Sequence, residues 1–189
     1  MNEVDQMSTA LIIVDIQNDY FPNGKMELSN PDQAAANAAR VLDWFRQNNK
    51  ENIFHVQHIA SSPELGFFLP NTKGAELHGT VQPLEHENLI VKNFPNSFLK
   101  TDLESKLREK GVTKVIVVGM MTHMCIDATV RAAVDLGFET TLIEDACATR
   151  DLTYQDKVVP AEQVHYAFVG ALNGMYANVI STEDFLQQN

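Results

Sequence analysis

The chain has 189 residues, 44% hydrophobic and 21% charged, a globular balance that excludes disorder, collagen and coiled coil. Its 14 Lys plus Arg stand against 25 Asp plus Glu, and a formal net charge of −11 repels a phosphate backbone, so nucleic acid is not expected as a partner. The longest apolar stretch, residues 115–121, is far short of the roughly 20 residues that span a bilayer, so no membrane partner is expected either.

Residues 1–8 are polar and acidic where a secretory signal would be basic and then apolar. Two cysteines, Cys125 and Cys147, are too few for a disulfide framework and read as free thiols. The expectation is one cytoplasmic domain over residues 1–189, long enough to bury a core without staples.

Short β-branched runs alternate with amphipathic segments, which predicts an α/β domain with a mostly parallel sheet. The run 10–14 (ALIIV) is continuously apolar and suits a central strand covered on both faces. Asn30 and Pro31 predict a helix start, with Asn as the cap and Pro first in the helix. Strands follow over 52–57 and 88–92, separated by an irregular stretch, 61–83, of a length common in binding loops. Thr101 and Glu104 read as a capping box. A strand over 114–118 runs into Gly119, a helix spans about 125–136, and strand five covers 139–143, with Cys147 beyond its end. A last helix is predicted from Pro160 to Tyr176, with Val164, Phe168, Leu172 and Met175 on its core face, before a short strand at 177–180.

Open sheets of this kind carry their chemistry at the carboxyl ends of the strands. Three reactive groups fall at such ends: Asp15 after strand one, Lys92 closing strand three and Cys125 just past strand four. At a helix N-terminus, unpaired N–H groups and the dipole lower a thiol pKa. An ammonium between Asp15 and Cys125 would satisfy the carboxylate and favour thiolate. Taken singly, Cys125 reads equally as a buried inert thiol, Asp15 as a loop cap and Lys92 as a surface lysine. Together they would have to coincide at matching topological positions.

The segments 10–21, 91–98 and 119–129, continued by Arg131, residues 136–138 and residues 144–146, occur in the order of one known family. The chain resembles the isochorismatase-like family of cysteine hydrolases, which includes nicotinamidases, N-carbamoylsarcosine amidases and related amide hydrolases. That resemblance implies a Rossmann-like three-layer αβα fold with a six-stranded sheet. It also implies a catalytic triad of Asp15, Lys92 and Cys125, a cis peptide between Met120 and Met121, and an oxyanion hole from the N–H groups of Met121 and Cys125. Cysteine-dependent cleavage of a C–N bond in a small molecule is the implied activity. Vinyl ether hydrolysis, or ligand binding without turnover, is the alternative. The family's usual homo-oligomer, a dimer or tetramer, is implied as well.

Phe21, Phe94, Phe98, Phe67 and Phe68 are candidate walls of a substrate pocket, although about half of such rings would serve the core instead. Thr122 could meet the substrate or the backbone of the turn. His55 and His58, three apart on a strand, point to opposite faces and cannot chelate together. The nicotinamidase metal motif Asp-x-His reads His58-Ile-Ala60 here, so neither a metal nor another cofactor is expected.

Overall fold

The computed structural model describes residues 8–188; the acidic start read above lies, but for Ser8, outside them. Strand β1 (Thr9–Val14) is buried at every position because the sheet is covered on both sides. Its side chains alternate between two cores: Leu11 and Ile13 enter one, and Ala10, Ile12 and Val14 the other. It is flanked by β2 (Ile53–His58) and β4 (Lys114–Met120), with β3 (Asn88–Lys92), β5 (Glu139–Ala148) and β8 (Asn178–Ile180) completing a sheet in the order β3-β2-β1-β4-β5-β8. All five pairings are parallel, as a doubly covered sheet requires.

Helix α1 (Pro31–Asn48) and α5 (Thr182–Gln188) cover one face, where Trp44, Phe45 and Phe185 stack together. Helices α2 (Leu103–Glu109), α3 (Asp127–Asp135) and α4 (Ala161–Leu172) cover the other through Leu103, Leu107, Val130, Ala133, Val169 and Leu172. The fold is therefore the three-layer αβα arrangement, with a six-stranded sheet that is parallel throughout.

Several local expectations are corrected. Asn30 sits at the start of α1 in a left-handed conformation (φ 49°) with no side-chain cap, while Pro31 does open the helix. The Thr101 capping box does not form as such: its hydroxyl donates to the Ser97 carbonyl at 2.6 Å, and α2 starts at Leu103. Strand β5 continues five residues past Ile143, following a register shift between Val117 and Gly119 that lets it track β4. Cys147 is accordingly a buried strand residue opposite Gly119. Helix α4 stops at Leu172, which leaves Met175 80% exposed rather than in the core. It is also not the last helix, since α5 follows. Between β5 and α4 lies a hairpin, β6 (Leu152–Tyr154) and β7 (Lys157–Val159), not anticipated above.

Candidate active site

The site grows from the carboxyl ends of β1, β3 and β4. Asp15 is the residue after β1 and adopts φ 51°, an uncommon conformation for a side-chain-bearing residue, held by its N–H bond to the Val56 carbonyl at 3.0 Å. Lys92 ends β3. Between Gly119 and the nucleophile the chain turns sharply: the Met120–Met121 peptide is cis, as the resemblance implied, and residues Thr122–Ile126 form a single wide π-helical turn. Gly119, at φ 129°, lies so close to β1 that a Cβ would fall on the Val14 carbonyl oxygen. Only glycine permits that approach, and with it the descent into the Cys125 turn.

Lys92 Nζ lies 2.7 Å from Asp15 Oδ2, and both side chains are fully buried. The same ammonium reaches the carbonyls of Phe94 (3.0 Å) and Pro95 (3.1 Å) and the His58 Nδ1 atom (3.2 Å). Asp15, His58 and Cys125 present oxygen, nitrogen and sulfur atoms within 4.8 Å of one another. The three residues named from the sequence are thus brought together. The donor cluster already contains a cation, because the Lys92 ammonium stands against both Asp15 and His58. Burial lowers the pKa of His58, and Lys92 adds to this while Asp15 opposes it, so the ring is neutral and Nδ1 can accept from the ammonium. Burial also works against the Lys92 charge, but the Asp15 carboxylate and the Cys125 sulfur outweigh it and raise the lysine pKa.

The thiol departs from expectation. Burial, seconded by the Asp15 charge, pushes the Cys125 thiol well above its ordinary range, and Lys92 only partly offsets them. The helix-terminus effect invoked from the sequence is too weak here: α3 begins at Asp127, two residues beyond the sulfur, and the residue is only 3% exposed. Cys125 rests as a thiol. Asp15 Oδ1 is buried and has no hydrogen-bond partner among the described residues, so an acceptor for the thiol proton stands close by.

The aromatic candidates are distributed more widely. Phe68 is buried, stacks edge-on against Tyr20 at 4.6 Å and lies 5.8 Å from the His58 ring; Phe67 packs behind it. Its loop is tied down by the buried Asp19 carboxylate, which accepts the Phe68 N–H at 2.7 Å. Phe21 stacks on His78 at 3.7 Å, and Phe98 stacks on Phe138 against the second core. Phe94 is half-exposed and contributes its carbonyl to Lys92. Thr122 gives its hydroxyl to a 2.9 Å contact with His165 Nδ1. A cavity of about 620 Å³ opens beside the β5 end, lined by Asn30, Cys147, Thr149, His165 and Tyr166 among others, and Cys125 is not in its wall.

Sequence reasoning weighed His58 only as a metal ligand, not as a neighbour of Lys92, and missed Tyr20. His58 pairs with Lys92 in the β2–β3 register, a relation that only strand pairing reveals. Burial raises the Tyr20 hydroxyl pKa most, with Cys125 and Asp15 adding to it, and the Tyr20 ring meets Phe68, which in turn neighbours His58. The place of Tyr20 in the segment 10–21 was the available signal. His55 faces away from the site as expected, its Nε2 2.8 Å from Glu87.

Comparison with known proteins agrees with this fold. The family model described as Isochorismatase domain matches residues 9–184. The chain is 59% identical over 181 residues to the uncharacterized isochorismatase family protein YddQ of Bacillus subtilis, covering 96% of this chain and 100% of that one. A crystal structure of an isochorismatase hydrolase from Oleispira antarctica superposes with a TM-score of 0.91 at 44% identity, covering 95% and 96% of the two chains. Streptothricin hydrolase of Streptomyces noursei is 32% identical over 149 residues, which cover 76% of this chain and 50% of that enzyme.

Proposed function

The chain belongs to the isochorismatase family, and on that footing we propose that it is a cysteine-dependent hydrolase cleaving an amide or ureido C–N bond of a small molecule. The observation that carries this reading is the meeting of Asp15, Lys92 and Cys125, from three strand ends, in one buried cluster.

The steps follow from the charge states. Asp15 takes the Cys125 proton as the sulfur attacks the carbonyl carbon, and Lys92 steadies the charges on Asp15 and on the sulfur. The N–H groups of Met121 and Cys125 would receive the oxyanion. Asp15 returns the proton to the leaving nitrogen, and ammonia or an amine departs. Water, deprotonated by the same carboxylate, then hydrolyses the thioester. Splitting the reaction into two acyl transfers is the catalytic gain. The buried thiol gives up its proton only as its sulfur attacks, with Asp15 accepting the proton and the oxyanion donors receiving the charge. That fits a sulfur that rests protonated.

A screen of small amides, ureido acids and isochorismate, read by ammonia or product release, tests the proposal. Ammonia release that vanishes in Cys125→Ala supports it. Hydrolysis of the vinyl ether of isochorismate, read by pyruvate release and unaffected by Cys125→Ala, would favour the alternative chemistry, in which Asp15 is a proton donor and no thiol attack is needed.

The assembly is read as a homo-oligomer in the cytoplasm. Apolar side chains left exposed on the hairpin and α4, Tyr154, Val158 and Tyr166, supply a surface for it. Light scattering after size exclusion checks the oligomer. Among the described residues, no helix is long and apolar enough to cross a membrane.

A further inference from the structure

His58 closes β2, beside the strand end that carries Lys92, and takes no part in the steps proposed above. Its place is fixed from the backbone. The buried Gln17 side chain clamps it from both sides, Oε1 accepting the His58 N–H at 2.8 Å and Nε2 donating to the His58 carbonyl at 2.8 Å. On the imidazole, Nδ1 lies 3.2 Å from the Lys92 ammonium and 3.9 Å from Asp15 Oδ2. A ring nitrogen is also within 4.8 Å of the Cys125 sulfur. A group joined to that sulfur therefore lies beside the His58 ring.

The ammonium fixes where the ring carries its proton. An ammonium has only donors, so the nitrogen facing it must accept. Nδ1 keeps its lone pair, and the single proton of the neutral ring sits on Nε2. Nε2 makes no hydrogen bond among the described residues and, unlike Asp15 Oδ1, is not sealed from solvent; the side chain is 10% exposed. Phe68, with its ring centre 5.8 Å away, lays an apolar surface alongside. Lys92 itself does not depend on this contact. Its three N–H groups have Asp15, Phe94 and Pro95 as acceptors at 2.7, 3.0 and 3.1 Å, and His58 is the fourth and longest at 3.2 Å. What remains is an unspent N–H donor, held in one orientation, next to the nucleophile.

We propose that His58 binds the substrate by donating a hydrogen bond from Nε2–H to an uncharged acceptor beyond the scissile carbonyl, such as a ketone or ether oxygen. This rests on the hydrolase reading above and narrows its substrates to small amides that carry a second acceptor. In that reading the scissile oxygen goes to the N–H groups of Met121 and Cys125, which leaves the His58 donor for another atom. The ring is neutral and the Lys92 charge is spent on Asp15, which suits an uncharged partner.

Nitrogen NMR of the protein, isotopically labelled in its histidine rings, reads the proton directly, with the His58 signals identified by their loss in His58→Gln. At pH 7 it should show a protonated Nε2 and a bare Nδ1; a proton on Nδ1 overturns the proposal. Binding is then measured by calorimetry on Cys125→Ala with matched amides in which the acceptor is replaced by a hydrocarbon group of like shape: 4-oxopentanamide against 4-methylpentanamide, and methoxyacetamide against butanamide. At least one acceptor-bearing amide should bind more tightly than its hydrocarbon partner. Adding His58→Phe should weaken that amide about 3- to 10-fold, the worth of one neutral hydrogen bond, and leave the hydrocarbon partner unchanged. His58→Gln in its place, with an amide N–H that can donate, should recover part of the affinity. Equal binding within both pairs, equal loss of both members, or no binding of either acceptor-bearing amide at millimolar concentration overturns the proposal. Ammonia release from these amides that persists in Cys125→Ala would instead overturn the hydrolase reading and leave the His58 binding result standing.

Discussion

The ammonium of Lys92 and the carboxylate of Asp15 form a 2.7 Å ion pair from which solvent is excluded on both sides. Such a pair is costly to assemble and costlier to break from one side, because the surviving charge stays buried. Lys92→Met should therefore destabilise the protein by about 3–5 kcal/mol in urea denaturation. The double variant Lys92→Met with Asp15→Asn should regain much of that loss while remaining inactive. Unchanged stability in the single variant would mean that the pair is not buried as described.

Thiol chemistry gives a second expectation. With Cys125 pushed up by burial and Asp15, and Cys147 pushed up to about 12 by burial, neither sulfur carries much thiolate at pH 7. Iodoacetamide should label both far more slowly than a free cysteine until denaturant is added. Asp15→Asn removes a charge that raises the Cys125 pKa and leaves the ammonium facing the sulfur. Its alkylation at pH 8 should then be about tenfold faster or more, roughly one pKa unit, even though turnover is lost. Slower labelling of that variant would show that Asp15 does not act on the sulfur.

Gly119→Ala isolates the backbone's part in the site. The added methyl meets the Val14 carbonyl, and φ 129° is strained for alanine. A loss of about 3 kcal/mol or more is expected in thermal or urea unfolding, together with loss of turnover. Wild-type stability and rate would show that β1 and β4 can part without cost at the nucleophile turn.

A final stability prediction concerns the network behind β2. Burial alone would raise the Glu87 pKa, but the Arg46 side chain, the Leu84 N–H and His55 outweigh it and hold the carboxyl at about 2, below its ordinary 4.5. A depressed carboxyl stabilises the folded state at pH above 4.5, and that contribution is lost as pH falls from 4.5 towards 2. Glu87→Gln should flatten the acid limb of a stability–pH curve in this window and lower the plateau above it. An unchanged acid limb would contradict the assignment.

What the sequence made legible has a physical basis. Continuous apolar runs at β1 and β4 have no solvent-facing side, so both the strands and their central places could be read. Asp15, Lys92 and Cys125 could be read because each breaks or follows such a run at its carboxyl end. Strand β5 was cut short because Glu144 and Asp145 look like a loop, whereas Asp145 is engaged by Thr182 at the start of α5 and Glu144 by His165. His58 was weighed only as a metal ligand, because its place beside Lys92 depends on which strand lies next to which, a relation that period and propensity do not encode. The thiol's resting state was misread for a similar reason: burial is a property of the assembled layers, and it outweighs the short turn.

The central claim is that the Cys125 sulfur bonds to the substrate carbonyl with Asp15 as its proton acceptor. Rapid quenching of turnover in acid, followed by peptide mass spectrometry, tests it most directly, using whichever amide or ureido acid releases ammonia. The account predicts an acyl adduct on the peptide containing Cys125, formed and consumed at the rate of turnover and absent from Asp15→Asn. Steady hydrolysis with that peptide unmodified throughout, or undiminished hydrolysis in Cys125→Ala, would contradict it.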